Sequence, residues 1–114
     1  MIFDRWDVIV APYPYVEISR AKLRPALVLT ARGFNGRHAA CFAAMISTAR
    51  QMTDLRDDDV QIEDLEQAGL RRPCVVRLSR VTTVDLEATV RKIGMLDVRQ
   101  RPKVEGIVKE ALGL

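Results

Sequence analysis

At 114 residues, 48% hydrophobic and 29% charged, the chain fits one globular domain spanning 1–114, with one core and no disordered or low-complexity tract. Its net charge of +3 permits a polyanionic partner without demanding one, since excess Lys and Arg also serve solubility. No stretch reaches transmembrane length, Asp4, Arg5 and Asp7 leave no apolar leader, and Cys41 and Cys74 have no further cysteines beside them; a cytoplasmic protein with buried reduced thiols, no metal and no membrane partner is expected.

In chain order, Trp6 to Ala11 alternates as a strand, with Trp6, Val8 and Val10 on one face. Pro12-Tyr-Pro-Tyr15 is expected to stop regular pairing. Tyr13 and Tyr15 then stand near cations, where they either stack on bases or cover a core edge with wet hydroxyls. Residues 16–23 form a polar connection, which makes the first two strands a hairpin with a long loop. The stretch Arg20-Ala-Lys-Leu-Arg-Pro-Ala-Leu-Val-Leu-Thr30 organises the rest. Pro25 is expected at a strand's first position, followed by Ala26 to Leu29, apolar on both faces and so covered on both sides. Arg24 is thereby held at a core's rim, as an ordinary strand-end arginine or as a fork that grips phosphate, with Arg20 and Lys22 beside it.

Arg32-Gly-Phe-Asn-Gly36 reads as a turn cluster and His38, the only histidine, as a solvated loop residue. Ala39 to Ile46 is a strand ending in Ser47-Thr48, whose hydroxyls either cap a turn or face a phosphate. Arg50 to Asp59, with Asp57-Asp58-Asp59, reads as a solvated loop, because three adjacent carboxylates do not converge on one ion. Val60 to Ile62 is a short edge strand, and Glu63 to Ala68 a helical turn closed by Gly69. Pro73 opens a strand that bends before Val81 to Val84. Asp85 to Gly94 fits a helix capped by Asp85 or a strand over Thr89 to Ile93. Val104, Ile107, Val108, Ala111 and Leu112 make a helical stripe, with Pro102 in the first turn and Gly113 at the end. The sum is an α+β fold: a small barrel-like antiparallel sheet of five or six strands with a C-terminal helix.

Trp6-Asp7-Val8-Ile9, Pro12-Tyr-Pro-Tyr15, Lys22-Leu-Arg-Pro-Ala-Leu-Val-Leu29 and Ala44-Met-Ile-Ser-Thr-Ala49 together resemble the MazF/PemK family of toxin endoribonucleases. Gly69-Leu70, Pro73-Cys-Val-Val-Arg77, Thr82-Thr-Val-Asp85 and Lys92-Ile-Gly94 extend the resemblance over nearly the whole chain. It implies an SH3-like barrel of the MazF/PemK/CcdB kind, a homodimer, cleavage of single-stranded RNA without metal or other cofactor, and inhibition by a cognate antitoxin. Carried onto this sequence, it makes Arg24, Ser47 and Thr48 the catalytic candidates, with Arg20, Lys22, Pro25, Tyr13 and Tyr15 as RNA-binding ones. Three positions depart from the family pattern: Trp6 stands where many members have glycine, Ser47-Thr48 inverts the usual order of hydroxyls, and Ser19 replaces a glutamate found in some. Glu17 is the nearest carboxylate and the general base stays unassigned.

Cleavage of this kind uses the RNA's own 2′-OH as nucleophile and leaves a 2′,3′-cyclic phosphate and a 5′-OH. Arg24 suits the phosphoryl charge, with Ser47 or Thr48 as second donor. Two other readings use the same fold: a poison that binds a topoisomerase such as gyrase, and a barrel that binds RNA without cutting it.

Overall fold

The computed structural model describes residues 2–13, 22–48, 55–87 and 91–114. Alternating apolar residues give six strands: β1 (Asp7–Tyr13), β2 (Lys22–Val28), β3 (Ala40–Thr48), β4 (Asp59–Gln61), β5 (Cys74–Asp85) and β6 (Arg91–Met95). They form one antiparallel sheet in the order β4-β5-β3-β2-β1-β6. A short helix α1 (Arg32–His38) follows β2, and helix α2 (Arg101–Leu112) ends the chain after a 3₁₀ turn at Val98–Gln100. This is the expected α+β sheet with a C-terminal helix. Its end strands β4 and β6 do not pair with each other among the described residues, so the curl of the sheet is held by packing.

Strand alternation sorts the core onto the two faces of the sheet. Val8, Leu27, Ala44, Ile46, Val76 and Leu96 cluster with Val104 of α2, and Ile107 and Val108 pack against them. Ile9, Ala11, Ala26, Val28, Cys41 and Ala43 face the other way with Phe3. Cys41 and Cys74 are buried free thiols, and burial pushes the Cys41 pKa up to about 11, which keeps it protonated and unreactive near neutral pH. In α2, Pro102 lies in the first turn, Gly113 closes the end, and Glu105 pairs with Lys109 at 3.4 Å. The apolar stripe stops short of expectation: Ala111 and Leu112 are exposed, because the last turn of α2 leaves the core.

Pro12 and Pro25 sit inside strands rather than at their limits. β1 continues through Pro12, opposite Leu23, to Tyr13, opposite Lys22. β6 covers β1 only from Asp7 to Val10, so Pro12 lies on a stretch with one described neighbour, where a missing N–H breaks no ladder. Pro25 is the fourth residue of β2, opposite Val10, and pairing with β3 starts one residue later, at Ala26. The edge comes from where the neighbouring strand begins, which local sequence does not show. The hairpin loop, with Arg20 and Tyr15, lies outside the described residues, as do residues 50–54 and Thr89.

The expected turn at 32–36 is helical. Asn35, fully buried, donates through Nδ2 to the carbonyls of Phe3 (2.9 Å) and Thr30 (3.0 Å) and accepts from Thr30 Oγ1. These long-range bonds hold a helix that two glycines disfavour, and Ala39 ends it in the left-handed region at φ 49°. His38 is therefore in a helix, not a loop; it is exposed, with its ring 4.6 Å from Phe34. Between Ala44↔Val81 and Met45↔Arg77 the β3–β5 register shifts, so Leu78 to Arg80 bulge and give the expected bend. Residues 91–93 are strand, which settles the described part of the ambiguous segment against a helix.

The turn after β4 meets β6 through two glycines. Gly69 has φ 75°, and a Cβ on it would collide with the Ile93 carbonyl; a Cβ on Gly94 would collide with the backbone of Ala68 and Gln67. Gln67 O also accepts from Met95 N at 3.0 Å. Backbone meets backbone here and draws β6 toward the β4 side of the molecule.

Candidate active site

Residues directly opposite in an antiparallel pair share a face. Arg24 is opposite Ala11 and two residues before Ala26, so it lies on the face of the Phe3 cluster, and it is exposed. Ala26 is opposite Met45, and Ser47 is two residues beyond Met45 on that same face. Continued two residues past its last pair, Ala26↔Met45, this register would set Arg24 against Ser47. Thr48 belongs to the other face: its partner is Cys74, in the cluster beneath α2. Pro25 likewise alternates away from Arg24, with Leu27. Lys22 and Tyr13 enter through their backbones alone, and Arg20 and Tyr15 lie outside the described residues. Of the candidates from sequence, then, the fold brings Arg24 and Ser47 to one surface and turns Thr48 and Pro25 from it.

Two residues join them that the sequence reading did not single out. Arg77 of β5 donates through Nε to Ser47 Oγ at 3.0 Å, and its other arm donates to Asp59 Oδ2 of β4 at 2.5 Å. Asp59 Oδ2 also accepts from Arg56 N at 2.9 Å. The reading of 50–59 as a solvated loop fails at Asp59, whose side chain is 1% exposed. β4 begins at this residue, and the guanidinium opposite it on β5 offsets the cost of burying a carboxylate. A signal for this was present: an arginine inside the buried run Cys74-Val-Val-Arg-Leu78 needs a counter-ion, and the chain has to supply one.

The arrangement has definite chemistry. A serine hydroxyl that accepts a hydrogen bond from a cation keeps its own proton to donate outward. Ser47 is thus polarised by Arg77, while Arg77 is fixed by Asp59. Met45, Ser47, Arg56, Asp59, Arg77, Ser79 and Arg80 line a depression of about 400 Å³. Three arginines against one carboxylate make it a place for an anion. Among the described residues, no three His, Cys, Asp or Glu side chains gather in a group able to hold a metal ion.

Solved structures share this architecture. The toxin MazF-mt6 of Mycobacterium tuberculosis is 23% identical, with 95% of this chain and 97% of that one covered and a TM-score of 0.75. MazF of Deinococcus radiodurans is 18% identical over 100% and 99% of the two chains, with a TM-score of 0.79. An endoribonuclease in complex with its cognate antitoxin, from a mycobacterial species, is 18% identical over 97% and 95%, with a TM-score of 0.74. At such identities the likeness is one of fold. No curated protein matches the chain. The family model for the PemK-like, MazF-like toxins of type II toxin–antitoxin systems matches residues 4–112, and the chain belongs to that family.

Proposed function

We propose that this toxin is a cytoplasmic endoribonuclease that cuts single-stranded RNA at specific sequences without a metal ion, and that a cognate antitoxin silences it by occupying the same face. The observation that carries the reading is the Arg77–Ser47 hydrogen bond on the surface that Arg24 shares. It supplies two preorganised donors, Arg24 and the Ser47 O–H, for the oxygens of a reacting phosphate. The RNA's 2′-OH attacks the adjacent phosphorus, so an O2′–P bond forms while the P–O5′ bond breaks. The O2′ proton passes to solvent water and O5′ takes one from solvent, while Arg24, which keeps its proton, donates hydrogen bonds to the phosphoryl oxygens. The similar fold of an endoribonuclease held by its antitoxin supports both the activity and the partner.

A long unstructured RNA incubated with the protein in EDTA is expected to give fragments with 2′,3′-cyclic phosphate and 5′-OH ends. A 2′-deoxy sugar immediately 5′ of the cut should block cleavage and spare binding. Products with 5′-phosphate ends would mean that water attacks instead. Intact RNA that nonetheless binds would make the protein an RNA-binding barrel, and intact unbound RNA would favour a topoisomerase poison.

A homodimer completes the reading, since a two-fold axis doubles the Arg24 charge available to one RNA. Light scattering at micromolar concentration is expected to give twice the chain mass. An active monomer would remove this part of the proposal.

A further inference from the structure

A second cationic cavity lies at the other end of the β1–β2 pair. Ile2 to Asp7, Arg32, Lys92, Met95 and Arg101 line about 680 Å³ there. Trp6 N donates to Val28 O, four residues along β2 from Arg24, which is about 13 Å at ~3.3 Å per residue. The cavity is therefore separate from the Arg24–Ser47 surface.

Trp6 sits in the left-handed region at φ 78°, which costs a bulky residue about 1–2 kcal/mol. What it gains is a platform for two guanidiniums: Arg5 Cζ is 4.4 Å and Arg101 Cζ 5.8 Å from the ring centroid. Arg101 Nε donates to Leu96 O, which fixes the fork and leaves its other nitrogens available. Arg5 Nε is buried with no hydrogen-bond partner, and Arg5 Nη1 forms an ion pair with Glu105 at 3.6 Å on the helix side.

The cavity's own acids are already engaged. Asp4 Oδ1 accepts from the backbone of Arg5 and Arg32, and Asp7 takes Lys92 Nζ at 3.1 Å and the Asp4 N–H. The Arg32 side chain makes a long 3.4 Å contact to Ile2 O. Arg5, Arg32 and Arg101 thus bring three guanidiniums to one concavity with hydrogen-bonding capacity unspent, and planar forks with several donors suit tetrahedral oxyanions. We propose that this cavity is a second anion site that binds a phosphate group, carried by a single-stranded polynucleotide or free in solution.

Trp6 is the only tryptophan, so its fluorescence reports on the site. The chain, unaltered and as Arg24→Ala, is titrated at low salt with inorganic phosphate, with single-stranded oligothymidylate and with acetate. A saturable change with phosphate or oligothymidylate, equal in both proteins and weakened about tenfold by Arg32→Gln or Arg101→Gln, is expected from loss of a charge-assisted hydrogen bond. Tighter binding of oligothymidylate identifies a polynucleotide as the source, and equal or tighter binding of inorganic phosphate identifies the free ion. No saturable change, a change lost in Arg24→Ala, an equal response to acetate, or indifference to both substitutions in chains folded by circular dichroism overturns the site.

Discussion

Arg24→Ala is expected to abolish RNA cleavage and leave the fold intact. Arg24 is exposed on β2, so truncation removes a charge and little buried area. Losing one preorganised donor to a developing oxyanion costs about 3–4 kcal/mol, or roughly 10²- to 10³-fold in rate. Ser47→Ala should fall in the same range, since it removes a donor and leaves Arg77 Nε without its acceptor. Thr48→Ala is the control: its side chain belongs to the α2 side of the sheet, and cleavage should change little. Rates on a defined RNA, with circular dichroism for the fold, check all three. A folded and fully active Arg24→Ala protein, or a dead Thr48→Ala beside a normal Ser47→Ala, would reverse the assignment.

Gly94→Ala should be strongly destabilising. The new Cβ meets the backbone of Ala68 and Gln67, which has no rotamer with which to move aside. Overpacking of this kind costs about 3 kcal/mol, at the upper end of the usual range. For a domain of this size that lowers Tm by roughly 10–20 °C. Thermal unfolding followed by circular dichroism measures it, and a Tm within a degree or two of the unaltered protein would show that the glycine crossing is not tight.

The parts of this fold legible in the sequence are those whose physics is local. Val104, Ile107 and Val108 announce α2 by spacing, Pro102 and Gly113 mark its ends, and alternation announces the strands. What was misread depends on partners far along the chain. Pro12 and Pro25 look like strand limits until β6 and β3 show where the open edges are. Arg32-Gly-Phe-Asn-Gly36 looks like a turn until Phe3 and Thr30 claim the Asn35 amide. Asp59 looks solvated until β5 sets Arg77 opposite it. The candidate site divides the same way. Arg24 and the hydroxyl pair stand out as residue types, but that Ser47 rather than Thr48 shares Arg24's face of the sheet needs the β2–β3 register.

The pairing of β1 with β6 also sets an order of events during synthesis. β1 starts at Asp7, and its second neighbour is not complete until Met95 has been made. A nascent chain ending at Asp85 already contains Arg24, Ser47, Asp59 and Arg77, yet it lacks Leu96 and Val104, both fully buried in the finished core. Small domains are stable by a narrow margin, and closures between distant segments form late. The sheet that carries the arginines therefore completes its core only after the segment from β6 to Val104 has been made.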